Sequence, residues 1–394
     1  MNTKKALSIE KQYKNQLNKY LNCDEDSIFF YWKGRVALHE ILRAMGVSEE
    51  DEVLVQGYTC VVVANAIMYL KATPVYADID KKTFNMNMNS LEDRITEKTK
   101  VIICQNTYGL SSNLEEIEQI ARKYSEKYGH TIYTVEDCTH GFGGKYHCKS
   151  NGVSCDASFF STQWSKPFTT GVGGFSVIHN PTIRQKVKEN LTDLVQPSLK
   201  EIIELKLMYF VRQYVINDLT YWPMIRLYRW LSHNNIVVGS SSGEETVGIE
   251  MPAGYLKALS TVQMKKGIKS VKRLDAVNQL RQANANAYTA FLKKHGKNHV
   301  DCSLHADHIF IRYPLLVNNR EEFRRQAEKA KVILGEWFEA PVYPADAPLA
   351  TWKVDPNTLP VAMDVCERMV NLPTEEKNVQ KVLAFLEKHL DFID

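Results

Sequence analysis

One lysine, Lys166, lies between two apolar runs that are typical of buried strands. The run Ala-Ser-Phe-Phe ends at Phe160, and the run Gly-Gly-Phe-Ser-Val-Ile begins at Gly173. Lysine is rarely buried unless its amine has a partner. The position of Lys166 therefore predicts either a solvated loop residue or an amine that is kept for chemistry.

A carboxylate, Asp137, follows another apolar run, 29 positions before Lys166. If both runs are neighbouring parallel strands, the two side chains face one crevice beyond the carboxyl ends of the strands. Such a pair is either a structural ion pair or the lysine and aspartate that hold pyridoxal 5′-phosphate (PLP). In the second case the lysine forms a Schiff base, and the aspartate keeps the pyridine nitrogen protonated so that the ring accepts electrons. The spacing leaves both interpretations open.

Short apolar runs alternate with helical patterns from about residue 51 to residue 180. Strands that alternate with helices indicate an α/β fold with a largely parallel sheet covered on both faces. The region after residue 250 has long helical patterns, one strand-like run and a terminal amphipathic helix. We therefore predict a large domain over residues 1–250 and a smaller α/β domain over residues 251–394.

The composition is that of an ordinary globular protein of 394 residues, with 44% hydrophobic and 24% charged residues. The net charge of +3 disfavours a nucleic-acid-binding protein. The eight cysteines are scattered without a Cys-x-x-Cys pair, so we expect free thiols and no metal site. With no apolar signal segment after the first residues, the sequence predicts a cytoplasmic protein.

The stretch 197–231 is rich in Tyr, Trp, Leu, Ile and Arg and is interrupted by Pro223. One interpretation is a pair of helices that pack in the core or in a subunit interface. The other is a patch of aromatic and arginine side chains that contacts a membrane surface. The charge pattern does not separate the two.

Four segments resemble the successive landmarks of the DegT-type sugar aminotransferases. They are Val-Ala-Leu-His-Glu-Ile-Leu from residue 36, the segment 57–80, Val-Glu-Asp-Cys-Thr-His-Gly from residue 135, and the segment 159–174. The resemblance is in order over residues 13–180 and is weaker towards the C-terminus. It implies the aspartate aminotransferase fold, PLP as the cofactor, and a homodimer.

The resemblance also implies roles for individual residues. Lys166 matches the Schiff-base lysine, which also moves a proton between the two carbons of the imine. Asp137 matches the carboxylate that binds the pyridinium nitrogen. His140 matches the position close to the cofactor ring. Ser161 and Gly34 match residues that bind the cofactor phosphate. Thr59 matches a threonine in the segment beside the cofactor.

The chain departs from the family pattern in three places. Arg35 replaces the threonine of the family's Gly-Thr pair, and we expect it either to pair with the phosphate or to point to solvent. Cys60 replaces an aromatic residue that stacks on the ring, which leaves His140, Tyr58 or Trp164 for stacking. The family's Asn-Tyr-Arg-Met-Ser stretch is replaced by roughly residues 248–254, so the acceptor site is expected to differ.

The expected reaction moves an amino group from an amino acid, by resemblance glutamate, to a keto-sugar that is linked to a nucleotide or a lipid. One alternative is PLP-dependent sugar dehydration, although relatives with that activity replace the lysine by histidine. Another is a catalytically silent scaffold. If stretch 197–231 contacts a membrane, the protein is peripheral to it.

Overall fold

A computed structural model describes residues 3–215, 243–301 and 308–394, together with residues 220, 224 and 230. The strands are β1 Ile28–Tyr31, β2 Glu52–Gln56, β3 Thr59–Cys60, β4 Thr73–Ala77, β5 Thr99–Gln105, β6 Tyr133–Asp137, β7 Lys145–Tyr146, β8 Lys149–Ser150, β9 Ala157–Ser161, β10 Gly174–Ile178, β11 Tyr313–Leu316, β12 Val342–Tyr343 and β13 Met369–Leu372.

The α-helices of the described residues are α1 Thr3–Leu21, α2 Gly34–Ala44, α3 Val61–Met68, α4 Met88–Glu92, α5 Leu114–Tyr128, α6 Pro181–Asn190, α7 Leu199–Phe210, α8 Gly243–Val247, α9 Thr261–Val271, α10 Leu274–Lys294, α11 Arg320–Lys329, α12 Pro360–Arg368 and α13 Val379–Glu387.

Seven strands form one sheet in the order β1-β10-β9-β6-β5-β2-β4. Strands β9, β6, β5, β2 and β4 run parallel, whereas β10 and β1 continue the sheet in antiparallel pairing. The α/β fold with a mostly parallel sheet is thereby confirmed. Strand β1 was not predicted, because a run of four apolar residues is too short to distinguish a strand from a buried helix.

Both faces of the sheet are buried, as the alternation of side chains in β2 shows. Val53 and Val55 pack into the large core together with residues of α2 and α3. Leu54, which points to the opposite face, packs with Leu114 and Ile117 of α5. A sheet covered in this way presents its polar side chains where the strands end, and the functional groups are found there.

The C-terminal region forms a second, smaller group of elements. Strands β11 and β13 pair in an antiparallel ribbon, and the long helical pattern after residue 260 is divided into α9 and α10. Residues 320–338 have a helical pattern, but the helix α11 ends at Lys329. The domain boundary at residue 250 stays a prediction.

One segment of the C-terminal region joins the large sheet region directly. Strand β12 pairs in parallel with β3, and the backbone N–H of Thr59 donates to the carbonyl of Pro341 at 2.9 Å. Residues about a dozen positions after the end of α11 are therefore held beside the ends of the large sheet.

Only the first part of the aromatic stretch 197–231 is described. Helix α7 begins with a capping box, in which Ser198 and Glu201 satisfy each other's backbone N–H groups, and a π-helical turn follows over Val211–Val215. Most of the positions from 216 to 231 lie outside the described residues. In the described part of the chain, no helix combines the length and the apolar character needed to cross a bilayer.

Candidate active site

A cavity of about 370 Å³ lies where β5, β6 and β9 end, next to the start of α2. We call it the cofactor cavity. Six of the seven predicted site residues line it: Gly34, Arg35, Asp137, His140, Ser161 and Lys166. The seventh, Thr59, lies behind the wall, where its hydroxyl donates to Oε1 of the lining residue Gln105 at 2.6 Å.

Asp137 is the last residue of β6 and is buried, with 3% of its surface exposed. The backbone N–H of Thr139 donates to its Oδ1 at 2.9 Å, which fixes the carboxylate. Burial raises the pKa of Asp137, although the hydrogen bonds from Thr139 and the charge of Lys166 oppose the rise. A carboxylate in this position is stabilised by a cationic partner placed in the cavity.

Lys166 lies in the loop between β9 and β10 and faces the same cavity. Burial lowers the pKa of its amine to about 8, with Arg35 and Arg312 acting in the same direction and Cys60 and Asp137 acting against it. An amine with this pKa has a much larger neutral fraction near pH 7 than an ordinary lysine. The neutral amine is the form that attacks a carbonyl carbon.

The start of α2 and the end of β9 meet at Gly34. A Cβ atom on Gly34 would lie 2.9 Å from the carbonyl oxygen of Phe160 and 3.0 Å from Cα of Ser161, so only glycine allows this approach. The preceding residue, Lys33, makes no side-chain capping bond to the helix. The first N–H groups of α2 and the hydroxyl of Ser161 therefore lie at one end of the cavity, an arrangement suited to an anion.

Arg35 is buried and forms an ion pair with Glu245, which also lies 3.7 Å from the amine of Lys33. Burial is the largest single effect on the pKa of Arg35 and lowers it, but the charge and the hydrogen bond of Glu245, together with Cys60 and Tyr255, make the net change upward. The expectation that Arg35 points to solvent is wrong, because its carboxylate partner holds it in the wall. Glu245 was not predicted, since no local pattern links it to a residue so far away in sequence.

Trp337, another residue that the sequence did not reveal, covers His140. The two rings stack with centroids 4.6 Å apart, and the amine of Lys166 lies 4.7 Å from the centroid of the indole. Of the three residues expected to stack on a cofactor ring, only His140 lines this cavity. Tyr58 is buried behind it, bonded to Tyr108, and its Oη accepts from Phe338 N.

His140 is held as a neutral imidazole. Burial lowers its pKa well below the usual value, and the charges of Lys166 and Arg312 lower it further. The backbone N–H of Tyr108 points at Nδ1 over 3.3 Å, so Nδ1 is the acceptor and Nε2 carries the proton. The ring is thus an apolar stacking surface with one N–H donor.

The residues present fit PLP. The helix start and Ser161 suit a phosphate, Asp137 suits a protonated ring nitrogen, and Lys166 supplies the amine, all around one cavity. The Gly34 contact is the most specific observation, because a side chain there would fill the space in which the helix approaches β9.

Two solved structures share the fold. DesV from S. venezuelae superposes with a TM-score of 0.74 at 18% identity, covering 98% of this chain and 90% of that one. Spr1654 from Streptococcus pneumoniae, a sugar aminotransferase in its PMP form, superposes with a TM-score of 0.72 at 19% identity, covering 96% and 92%. At these identities the similarity shows the fold alone.

Relatives in sequence agree with the fold. A GDP-perosamine synthase of Escherichia coli O157:H7 is 40% identical over 150 residues, which is 38% of this chain and 40% of that protein. The chain therefore aligns with less than half of that relative's length. An uncharacterized protein of Methanocaldococcus jannaschii is 27% identical over 380 residues, covering 95% of this chain and 86% of that protein.

The model of one family covers nearly the whole chain, with matches over residues 10–204 and 214–386. The cavity at the strand ends and the shared fold agree with this family match. The chain belongs to the DegT/DnrJ/EryC1/StrS aminotransferase family, whose members use PLP as their cofactor.

Proposed function

We propose that this protein transfers an amino group from an amino acid, with glutamate as the donor, to the carbonyl of a keto-sugar that carries a nucleotide or a lipid. The observation that carries the proposal is the pairing of Lys166 and Asp137 in one cavity with an anion-binding helix start. The name of the relative in E. coli, a GDP-perosamine synthase, supports an activated sugar as the acceptor.

In the proposed roles, the start of α2 and Ser161 bind the phosphate, Asp137 binds the ring nitrogen, and Thr59 steadies Gln105 in the wall. When bound, PLP supplies an electron sink that stabilises negative charge on a carbon next to nitrogen. Lys166 takes up and returns, at its Nζ atom, the proton that moves between the two carbons on either side of the transferred nitrogen. Its lowered pKa suits this work near neutral pH.

Arg35 is proposed to act indirectly, by holding the wall of the cofactor cavity in place. Its ion pair with Glu245 fixes the first turn of α2, where the phosphate is proposed to bind. The partial positive charge at the N-terminal end of α2 also favours an anion. Trp337 closes the side of the cavity on which His140 lies and keeps water from the Lys166 amine.

An absorption spectrum of the protein loaded with PLP tests the donor half of the reaction. We expect a visible cofactor band that disappears when glutamate is added, and no such band for Lys166→Ala. The matched control is Lys257→Ala, which removes a partly buried lysine that pairs with Glu201 and does not line the cavity. A band that glutamate leaves unchanged would contradict amino transfer and favour a silent scaffold.

We further propose that the protein forms a homodimer in the cytoplasm, as the family resemblance implies. Light scattering of the eluted protein is expected to give twice the chain mass of 45.2 kDa. A mass of one chain at micromolar concentration would contradict the dimer without affecting the donor test.

We infer that the outer face of α7 contacts a membrane surface. Five large side chains recur at helical spacing and are 56% to 83% exposed: Leu199, Ile203, Leu207, Phe210 and Tyr214. Two lysines, Lys200 and Lys206, and two glutamates border this row on the same helix, and the Lys200 amine lies 3.9 Å from Glu204. An exposed apolar row with charged residues beside it is typical of a helix that lies in a membrane interface.

Sedimentation with vesicles that contain phosphatidylglycerol tests the membrane contact. We expect the protein to sediment with these vesicles and Ile203→Asp/Leu207→Asp to lose most of the binding. Binding that neither the substitutions nor a neutral lipid composition changes would contradict it. Loss of the dimer in the double variant would instead assign the face to a second copy of the chain.

A further inference from the structure

A second cavity, of about 730 Å³, lies between the loop that carries Lys166, the helix α7 and the helix α9. We call it the basic cavity. Its lining residues are Trp164, Thr169, Tyr209, Arg212, Gln213, Lys266, Lys269, Ser270 and Arg273. None of them belongs to the cofactor cavity.

The basic cavity is strongly positive. Nine lining residues belong to the described part of the chain; four of these carry a positive charge, and none of the nine is an aspartate or a glutamate. Within the described part of the chain, no ion pair with a carboxylate involves Lys266, Lys269 or Arg273. Cations gathered in a concave surface repel one another and concentrate anions from solution.

The helical spacing brings these cations to one face. Lys266, Lys269, Ser270 and Arg273 follow one another at intervals of three, one and three residues, so they lie along one side of the chain as it passes from α9 towards α10. Like charges at three- and four-residue spacing destabilise a helix unless something neutralises them. An anion placed in the cavity would supply that neutralisation.

Aromatic side chains hold two of the cations in place. The Arg212 guanidinium lies 4.3 Å from the ring of Trp164, and the Lys266 amine lies 5.2 Å from the ring of Tyr209. Contacts of this kind hold a cation in place. The basic cavity is thus a shaped surface and not a set of independently solvated lysines.

The basic cavity is linked to the cofactor cavity through one loop. Gln163, Ser165 and Lys166 line the cofactor cavity, whereas Trp164 and Thr169 line the basic one. The backbone N–H of Thr169 donates to Oγ of Ser270 at 3.1 Å, which ties the loop to α9. A ligand in the basic cavity therefore contacts the chain within two residues of Lys166.

We propose that the basic cavity binds the diphosphate group of the sugar acceptor. This inference rests on the proposed amino transfer to an activated sugar and names the part of the chain that binds its anionic end. A diphosphate presents several oxygen acceptors, and three cations, Lys266, Lys269 and Arg273, supply matching donors. Either a nucleoside diphosphate or a lipid diphosphate carries this group, and the apolar row on the outside of α7 lies on the helix that supplies Tyr209.

Titration calorimetry with inorganic pyrophosphate tests the site without requiring turnover. We expect the affinity to fall about 30-fold in Lys269→Glu/Arg273→Glu, because each lost charged hydrogen bond weakens binding. The matched control is Lys265→Glu/Lys272→Glu, which makes the same charge change on exposed positions that do not line the cavity. Equal losses in both double variants, or no binding of pyrophosphate by the unchanged protein, would overturn the proposal.

Two further ligands distinguish the sources of the diphosphate. Tighter competition by GDP than by pyrophosphate would support a nucleotide-linked acceptor, and tighter competition by a polyprenyl diphosphate in detergent micelles would support a lipid-linked one. The glutamate-dependent change of the cofactor band is expected to stay the same in Lys269→Glu/Arg273→Glu. A failed donor test with intact pyrophosphate binding would therefore refute the proposed function and leave the anion site standing.

Discussion

The cofactor cavity and the basic cavity share a loop but are built in different ways. The first is made of buried groups, each fixed by a strand end, a helix start or a hydrogen bond, such as the bond from Thr139 to Asp137. The second is made largely of lysine and arginine side chains on the surfaces of helices. The parallel sheet dictates the first, whereas the second depends on side chains that the fold does not require.

Because of this difference, we expect the two cavities to tolerate different substitutions. A change to a paired buried group of the cofactor cavity, such as Arg35, costs stability, whereas a change to the Lys166 amine costs chemistry. A change in the basic cavity alters charge at the surface and leaves the sheet intact. The predictions below test that contrast in the cofactor cavity.

The largest effect is expected for Lys166→Ala. Amino transfer is expected to fall at least about 10³-fold, because the variant lacks the group that moves the proton. The free energy of unfolding is expected to change little, since the amine carries a burial cost in the folded protein. Single-turnover kinetics with glutamate, together with urea denaturation, measure the two effects. Activity within tenfold of the unchanged protein would remove Lys166 from the mechanism.

Asp137→Asn is expected to slow the donor half-reaction roughly 10²-fold. The amide can still accept the hydrogen bond from Thr139, but it lacks the charge that stabilises a protonated ring nitrogen. Stopped-flow absorbance of the cofactor band measures the rate. The control is Asp80→Asn, at a partly exposed aspartate that accepts from Lys82 N in a turn and does not line the cavity. Equal rates for the two variants would contradict the assignment.

Glu245→Gln is expected to destabilise the protein by about 3 kcal/mol, because it leaves the buried Arg35 without a negative partner. Denaturation in urea measures the loss. Replacing the pair together, as Arg35→Met/Glu245→Gln, is expected to recover most of the stability. A destabilisation as small as that of the exposed double variant Lys269→Glu/Arg273→Glu would break the contrast between the two cavities.

The smallest effect is a shift in pH dependence for Trp337→Ala. The neutral amine of Lys166 captures PLP, so the capture rate rises with pH and levels off above the pKa of about 8. Removing the indole admits water to the amine, and the midpoint is expected to move upward by roughly one pH unit towards that of a solvated lysine. Trp337→Phe, which keeps a ring over the amine, serves as the control. A downward shift would contradict the shielding role of Trp337.

The parts of the fold that could be predicted are those with local patterns in the sequence. Strand and helix periodicity was sufficient for the parallel sheet, and the predicted strand ends brought Asp137 and Lys166 to one crevice, where the structure places both. Strand β1 escaped prediction because four apolar residues carry no periodicity.

The missed residues share a different property. Glu245 and Trp337 act through partners some 200 positions away in sequence, Arg35 and His140. No spacing rule connects residues at such separations, so only the folded chain reveals them. The replacement at Arg35 was visible in the sequence, but its ion pair was not.

The pairing of β12 with β3 has a consequence for synthesis on the ribosome. Phe338 donates to the hydroxyl of Tyr58 at 3.2 Å across 280 positions of chain. At the usual pace of translation, roughly a quarter of a minute to a minute separates the emergence of these two partners. The strand ends that hold Asp137 and Lys166 are thus made long before the segment that covers them. Until that segment docks, β3 lacks β12 as its partner strand, and the cavity at the strand ends lacks the side formed by Trp337.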